Sequence, residues 1–250
     1  GWTTGEKSER ILGLTPGKYV LKEVKAPEGY LVLSKPQEIV VTNAPGVQTF
    51  VVVNQKLEVD VMKKDKESGK LLTGAAMRLV GNSDQAVIRE WVSGQVPEVF
   101  QGLAPGSYTL EERKAPEGYA VAKSLTFEVT EREAKKEVVM EDERITVDFR
   151  KTDGVSGESL EGAVLQLVEK AGTKDETVIR EWVSGKEPER FVGIHAGTYV
   201  IREKKAPAGF VLMKDMVVEI REDQAAQTVI VRNQPIQAEI GKSDGDSGKL

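Results

Sequence analysis

An internal repeat of about ninety residues constrains this 250-residue chain more than any other feature of its sequence. The segment GLTPGKYVLKEVKAPEGY starts at Gly13, and near copies of it start at Gly102 and Gly193, so the spacing is 89 residues and then 91. Repeats of solenoid proteins are much shorter, whereas this period matches the size of a small domain that folds on its own. The chain is therefore predicted to contain tandem domains.

The phase of the repeat predicts the boundaries of four units, which we number in chain order. They are a partial domain at residues 1–55 that lacks its first strands, complete domains at 56–143 and 144–234, and the first strand of a following domain at 235–250. Only Gln55 and Lys56 separate the last apolar strand of unit one from the first of unit two. Such short links favour a stiff array over domains joined by flexible linkers.

Alternating apolar and polar residues within each unit predict an all-β fold. Glycine and proline interrupt the alternation at intervals of roughly ten residues, which is typical of an antiparallel β-sandwich with short connections. The repeated APEGY segment is predicted to form a turn between two strands. No long stretch has the 3.6-residue period of an amphipathic helix.

Composition excludes several functions. The chain has no cysteine, which excludes disulfides and thiolate metal sites. It also lacks zinc-binding, phosphate-loop and nucleophile-elbow motifs, so the sequence gives no indication of a metal or a cofactor. The net charge is −5, and no basic patch with interleaved aromatic residues indicates a nucleic-acid partner. No apolar run approaches the roughly 18 residues of a membrane span, so membrane insertion is not expected.

Lysines extend the inward-facing apolar series of each opening strand. Successive side chains of a β-strand point to opposite faces, so every second residue shares one face. Three lysines stand two residues after an apolar member of that series, and they are Lys63, Lys151 and Lys242. Lys63, for example, follows Val59 and Val61 in the same phase. The pattern predicts that each amine is directed toward the interior of its sandwich.

A glutamate and an amide or second carboxyl group show the same inward phase. The glutamates lie in the repeated central strand and are Glu23, Glu112 and Glu203. The third group ends the last strand of each unit and is Asn54, Asp142 or Asn233. Units two and three are therefore predicted to place all three groups in one interior. Unit one keeps the glutamate and the asparagine but has no lysine strand, and unit four has only the lysine.

Buried polar groups of these types must pair, neutralise or react, because an isolated charge in an apolar interior is very costly. Burial lowers the pKa of an amine and raises that of a carboxylic acid, and a neutral amine is a nucleophile. A neutral carboxylic acid can polarise a carbonyl group and shuttle protons. The predicted product is an amide between two side chains, with loss of ammonia from Asn233 or of water from Asp142. The alternative is that each residue emerges into solvent at a strand end, which the recurrence of the triple disfavours.

The repeated motifs resemble a known family. The stretches VDVMKKDKESGKLLTGA at 59–75 and YTLEERKAPEGY at 108–119, followed by a strand that ends in Asn or Asp, are similar to the collagen-adhesin B-type domain, also called the SpaA-like or prealbumin-like domain. This resemblance covers essentially the whole chain. It implies tandem Ig-like (prealbumin-like) β-sandwiches in an extended array, each with its first and last strands joined by a self-formed isopeptide bond.

The resemblance also implies the roles of individual residues. The bonds would join Lys63 to Asp142 and Lys151 to Asn233, and Glu112 and Glu203 would be the catalytic carboxylates. The sequence departs from the family pattern at Asp142, because asparagine is commoner there. Glu23, Asn54 and Lys242 are then unpaired remnants of the two partial units.

The resemblance implies a stalk or spacer of a cell-wall-anchored surface adhesin of a Gram-positive bacterium, located outside the cell. Such a chain is not a turnover enzyme, because each bond forms once. Its expected partners are neighbouring repeats of the same protein. Two alternatives stay open at this stage: a pilin subunit, and a module that binds a host extracellular-matrix ligand. A third possibility is head-to-tail strand exchange, with the strand of Lys242 entering unit one of another molecule beside Glu23 and Asn54.

Overall fold

A computed structural model describes residues 1–242, and its architecture confirms the predicted all-β fold of tandem sandwiches. The described part of the chain contains no helix that could cross a membrane. Unit one contributes one antiparallel pair, β1 (Gly17–Leu21) and β2 (Gln37–Val41).

Units two and three each contain the same succession of strands. In unit two they are β3 (Glu58–Asp65), β4 (Ala76–Gly81), β5 (Val87–Val92), β6 (Glu98–Gln101), β7 (Gly106–Lys114), β8 (Leu125–Val129) and β9 (Lys135–Asp142). In unit three they are β10 (Thr146–Asp153), β11 (Val164–Glu169), β12 (Thr177–Val183), β13 (Glu189–Val192), β14 (Gly197–Lys205), β15 (Met216–Ile220) and β16 (Ala226–Asn233). The repetition of these elements follows directly from the repetition of the sequence.

Each complete unit is a sandwich of a three-stranded and a four-stranded sheet. The strand orders are β6-β3-β9 and β5-β4-β7-β8 in unit two, and β13-β10-β16 and β12-β11-β14-β15 in unit three. Alternating residues of both sheets face inward, so Val59 of β3, Leu79 of β4 and Leu110 of β7 pack into one buried cluster. Unit three has an equivalent cluster that includes Val147 and Leu165. The functional residues lie at one end of these cores.

The first and last strands of each complete unit pair in parallel, which differs from the antiparallel arrangement that the sequence predicts. Along β3 and β9, Asp65 lies opposite Asp142, and along β10 and β16, Asp153 lies opposite Asn233. The other pairs in both units are antiparallel. The spacing of turn residues in a sequence indicates which successive strands pair as hairpins. It carries no information about a pair that joins the two ends of a domain.

Two predicted strands are not formed. Residues 48–54 of unit one and 236–242 of unit four have no strand assignment, and Ile240 is 94% exposed. In unit two the last strand pairs with β3, and β3 also pairs with β6. Among the described residues, 1–55 contain no counterpart of β3 and 235–242 contain no counterparts of β6 and β9, while residues 243–250 of the predicted unit four lie outside the described part of the chain. The apolar series of these segments therefore has no sheet to join.

Candidate functional site

The three polar groups of unit two meet in its interior. Lys63 on β3 and Asp142 at the end of β9 belong to one sheet, and Glu112 on β7 faces them from the other. The side chain of Lys63 is 1% exposed and those of the two acids are fully buried. The lysine amine contacts the carboxylate Oδ1 of Asp142 and lies 3.0 Å from Glu112 Oε1. An amine, an acid and an acyl group are thus in mutual contact in a site that excludes water.

Unit three repeats this cluster with an amide as the acyl group. The amine of Lys151 contacts Asn233 Oδ1, donates a hydrogen bond to the carbonyl of Val231 at 3.3 Å and lies 3.8 Å from Glu203 Oε1. The lysine and glutamate side chains are again 1% and 0% exposed. The structure therefore brings together the three predicted residues in both complete units.

A β-bulge follows each glutamate of the cluster. The pairing of β4 with β7 shifts register so that Ala76 faces Lys114 while the next residue, Met77, faces Glu112. The pairing of β11 with β14 shifts in the same way immediately after Glu203, because Val164 faces Lys205 while Leu165 faces Glu203. An extra residue at a bulge bends the strand and changes the direction of its side chains. Strand alternation keeps each glutamate on the inward face, and the bulge bends the strand just beyond it.

A backbone N–H group holds one oxygen of each glutamate, and sequence reasoning missed this contact. The N–H of Ala122 donates to Glu112 Oε2 at 2.6 Å, and the N–H of Met213 donates to Glu203 Oε2 at 2.8 Å. The donor lies ten residues after the glutamate in both units. That constant offset is the signal in the sequence. Because Oε2 is anchored, Oε1 is the oxygen that faces the lysine.

The orientation of the Asn233 amide follows from its two acceptors. Its Nδ2 group donates to Glu203 Oε2 at 2.8 Å and to the carbonyl of Val211 at 2.7 Å. An amide nitrogen has two donor hydrogens, so both are satisfied and the carbonyl oxygen is the atom left to face Lys151. The nitrogen that would leave as ammonia thus contacts the acid that could protonate it.

Unlike the asparagine of unit three, Asp142 carries a carboxyl group that can ionise. Burial raises the pKa of its carboxyl group from 3.8 to about 7, although the nearby Lys63 amine acts in the opposite direction. Its Oδ2 atom is buried and has no hydrogen-bond partner. An ionised carboxylate oxygen without a hydrogen-bond donor is especially costly in a dry interior, because burial of a charge costs more than burial of a neutral polar group. The site therefore favours the neutral form of this carboxyl group.

The Lys151 amine is shifted toward its neutral form. Burial lowers its pKa from 10.5 to about 8, and the opposing effect of Glu203 is smaller. At neutral pH, a lysine whose pKa is about 8 is present partly as the free amine, which is the nucleophilic form. The environment of Lys151 is thus suited to attack on a carbonyl carbon.

Unit one contains the acceptor half of the same arrangement. Asn54 Nδ2 donates to Glu23 at 2.8 Å and to the carbonyl of Leu31 at 2.9 Å, and the N–H of Leu33 donates to Glu23 at 2.8 Å. These contacts repeat those of Asn233, Glu203 and their neighbours. Lys242 is exposed, and no hydrogen bond or ion pair within residues 1–242 joins it to this half-site.

A second polar cluster anchors the end of β3. Tyr119 donates a hydrogen bond to Asp65 Oδ2 at 2.6 Å, and the Nε of Arg144 donates to the same oxygen at 3.1 Å. Asp65 lies two residues after Lys63 and is 2% exposed, and these hydrogen bonds, with the backbone N–H of Ser68, hold its pKa well below its usual range. The cluster fixes the strand end that carries the lysine. Sequence reasoning did not identify it.

Comparison with known protein families gives a match along nearly the whole chain. The model described as SpaA, prealbumin-like fold domain, matches residues 2–56, 58–144 and 145–235. The chain belongs to this family. The resemblance found in the sequence motifs is thereby confirmed, and units one to three are SpaA-type domains.

Several solved structures resemble this SpaA-type chain in part. The Bacillus anthracis TIE protein is 22% identical, with 88% of this chain and 42% of that protein covered and a TM-score of 0.46. A Streptococcal ancillary pilin is 21% identical over 90% of this chain and 77% of the pilin, with a TM-score of 0.35. The shaft pilin SpaA from Lactobacillus rhamnosus GG is 11% identical over 74% and 99%, with a TM-score of 0.33. No curated protein matches the chain.

Proposed function

We propose that units two and three are load-bearing stalk domains, each closed by an amide bond that forms spontaneously between its first and last strands. The observation that carries this proposal is the burial of an amine, an acid and an acyl group in contact at equivalent positions of both units. Burial of a lysine and a glutamate costs stability unless they pair or react. A covalent product removes the charges from the interior and keeps the strands together.

The reaction in unit three balances as an amide exchange. The neutral amine of Lys151 attacks the Cγ atom of Asn233, while Glu203, whose Oε1 faces the amine and whose Oε2 contacts the departing Nδ2, accepts the amine proton and passes it on. The new C–N bond forms, the bond from Cγ to Nδ2 breaks, and a proton carried from the amine by Glu203 leaves with the nitrogen as ammonia. Glu203 returns to its initial state. It acts once in each molecule, so the chain is not a turnover enzyme.

The reaction in unit two is a condensation. The neutral amine of Lys63 attacks Cγ of Asp142 in its acid form, and Glu112 transfers the proton, so the products are an amide and one water molecule. The raised pKa of Asp142 supports this route, because an ionised carboxylate resists nucleophilic attack. The same arrangement of buried strands thus permits loss of ammonia in one unit and loss of water in the other.

The position of the bonds suits a domain that is pulled at its ends. Tension enters unit two at the start of β3 and leaves after β9, and these strands are parallel neighbours. A bond from Lys63 to Asp142 carries the load across the strand pair and shields a loop of 79 residues, and the bond in unit three shields 82. By the loop-entropy relation used for disulfides, each closure stabilises its unit by about 4.5 kcal/mol. Unlike a disulfide, the amide resists reduction.

These properties fit a spacer of a cell-wall-anchored surface adhesin of a Gram-positive bacterium. Such a stalk lies outside the cell, where it meets mechanical load and proteases. A chain without cysteine gains covalent reinforcement there by another route. Successive SpaA-type units then hold a distal binding domain away from the wall.

Single-molecule force spectroscopy of the chain, pulled from its two termini, tests the mechanical proposal. The wild-type chain is expected to show no extension step from the shielded loops. The double variant Lys63→Met, Lys151→Met is the control, and each of its complete units should release roughly 280 Å, at about 3.4 Å per residue. Release of these lengths by the wild-type chain would contradict the proposal.

A further inference from the structure

Two junctions between successive units are built in the same way. Each APxG turn, at residues 26–29 and 115–118, lies against the unit that follows it. The carbonyl of Gly29 accepts a hydrogen bond from the N–H of Leu57 at 2.9 Å, and the carbonyl of Gly118 accepts one from Ile145 at 2.9 Å. The glycine itself is buried in both cases. Because the contact recurs at equivalent residues of two units, it follows from the repeated sequence.

Close backbone packing explains why the turn ends in glycine. A Cβ atom on Gly118 would lie 2.6 Å from the carbonyl oxygen of Gly193 in unit three. A Cβ atom on Gly29 would lie 2.9 Å from the carbonyl carbon of Gly102 in unit two. Both distances are shorter than van der Waals contact, and both obstacles are backbone atoms, which cannot rotate away. Any side chain at these glycines would therefore separate the two units.

The residues after the turn belong structurally to the following unit. Leu31 packs against the core of unit two, and Ala120 is part of the core cluster of unit three. The N–H of Val121 donates to the carbonyl of Glu222 at 2.8 Å, as Val32 does to Glu131 in the preceding junction at 2.9 Å. Each unit thus supplies an apolar residue and a backbone donor to its successor.

The third copy of the turn presents the same surface without a partner among the described residues. The N–H of Val211 donates to the carbonyl of Gln234 at 2.9 Å, and the N–H of Ile236 donates to the carbonyl of Gly209 at 2.8 Å. The hydrogen bonds between the turn and the linker that follows the unit are therefore formed. Gly209 is exposed, and Val211 and Leu212 are 51% and 54% exposed. The counterparts of Val211 are Leu31 and Ala120, and both pack against the core of the following unit.

We infer that the APxG turn and the three residues after it form a docking surface for one kind of partner, the next SpaA-type unit of the same array. At residues 206–212 the surface fits a unit that presents a glycine backbone and a turn carbonyl, as units two and three do with Gly102 and Glu131 and with Gly193 and Glu222. Docking fixes the orientation of successive units and makes the stability of each unit depend on its predecessor. The inference does not use the isopeptide bonds, so it stands or fails separately from the proposed function.

Gly118→Ala and Gly209→Ala form a matched pair that tests the inference on the full chain. The two glycines have φ values of +81° and +84°, so alanine carries the same backbone strain at both. Only Gly118 has a neighbouring unit within 4 Å. Pulsed electron spin resonance between spin labels in units two and three measures their relative orientation. Hydrogen exchange at the N–H of Val121 measures the junction contact directly.

The expected result is a broadened distance distribution and a loss of exchange protection at Val121 in Gly118→Ala, with both quantities unchanged in Gly209→Ala. Gly29→Ala should give the same effects between units one and two. The deficit of the intact mass relative to the mass calculated from each variant's sequence, which reports the amide bonds, is expected to be the same in all three variants as in the wild type. Equal behaviour of Gly118→Ala and Gly209→Ala, with a narrow distribution and a protected Val121, would overturn the inference.

Discussion

Units two and three hold the same three side-chain positions in the same frame, yet the acyl group is an acid in one and an amide in the other. Asn233 is held by two acceptors that fix its carbonyl toward Lys151. Asp142 has a buried oxygen with no partner and a pKa raised to about 7. In both units, therefore, the surrounding strands exclude water and bring the three groups together. The acyl group decides the leaving group and the pH at which the site is ready to react.

Removal of the acid in one unit only should have the largest effect. In Glu203→Gln, the amine and the amide of unit three remain but no group can shuttle the proton, so no bond should form. The loop of 82 residues then stays open, and the unfolding free energy of unit three should fall by about 4.5 kcal/mol. Chemical denaturation and intact mass check the result.

The matched control for this variant is Glu23→Gln. Glu23 holds Asn54 in unit one as Glu203 holds Asn233, but no lysine accompanies it among the described residues. The control should leave both bonds and the stability of unit three unchanged. Bond formation in Glu203→Gln would show that the glutamate is dispensable.

The pH dependence of stability should have opposite signs in the two units when bond formation is blocked. In Asn233→Leu, Lys151 stays as a free amine with a folded pKa of about 8, below its unfolded value of 10.5. The unfolded state binds more protons between these values, so the stability of unit three should rise with pH by up to about 3 kcal/mol.

In Lys63→Met, Asp142 stays as a free acid whose folded pKa lies above its unfolded value of 3.8. The folded state then binds more protons, so the stability of unit two should fall as pH rises from about 4 through 7. Urea titrations across this range and across pH 8 to 10.5 give the two slopes. If stability changed with pH in the same direction in both variants, the proposed difference in charge between the two sites would be wrong.

Conversion of one site into the other should change the product and the rate. In Asp142→Asn the leaving group becomes ammonia, so the total mass loss should change from one ammonia plus one water to two ammonia molecules. At pH 8 an acid with a pKa of about 7 is about one-tenth neutral, so the amide should react up to about tenfold faster. Mass spectra taken at intervals after cell-free synthesis follow the reaction. An unchanged rate would mean that the charge of Asp142 does not limit it.

The smallest expected effect concerns the anchor at the end of β3. Tyr119 donates to Asp65 in unit two, whereas unit three has Phe210 at the equivalent position. Tyr119→Phe should lower the stability of unit two by about 1 kcal/mol, the typical worth of one hydrogen bond. Phe210→Tyr is the reciprocal control and should change stability little. Thermal unfolding of the two variants measures the difference.

The sequence predicts much of the fold and the composition of both sites, because these follow from local patterns. Strand alternation places Lys63 and Glu112 on the inward face, and the repeat shows that their arrangement is systematic. The family resemblance supplies the pairing with Asp142. None of these steps requires knowledge of which distant strands are neighbours.

Other features depend on long-range geometry and were not predictable. The parallel pairing of β3 with β9 joins the two ends of a domain, and no turn motif encodes it. The backbone donor of Ala122 carries no side-chain signature, so only its constant offset from Glu112 could have indicated it. The role of Gly118 depends on the backbone of the next unit, which the sequence of a turn does not contain.

Formation of both isopeptide bonds is measured by intact mass spectrometry of the denatured wild-type chain. The mass should lie below that calculated from the sequence by one ammonia and one water, and peptide mapping should join Lys63 to Asp142 and Lys151 to Asn233. The double variant Glu112→Gln, Glu203→Gln should show its full calculated mass. A wild-type chain with its full calculated mass would mean that neither bond forms.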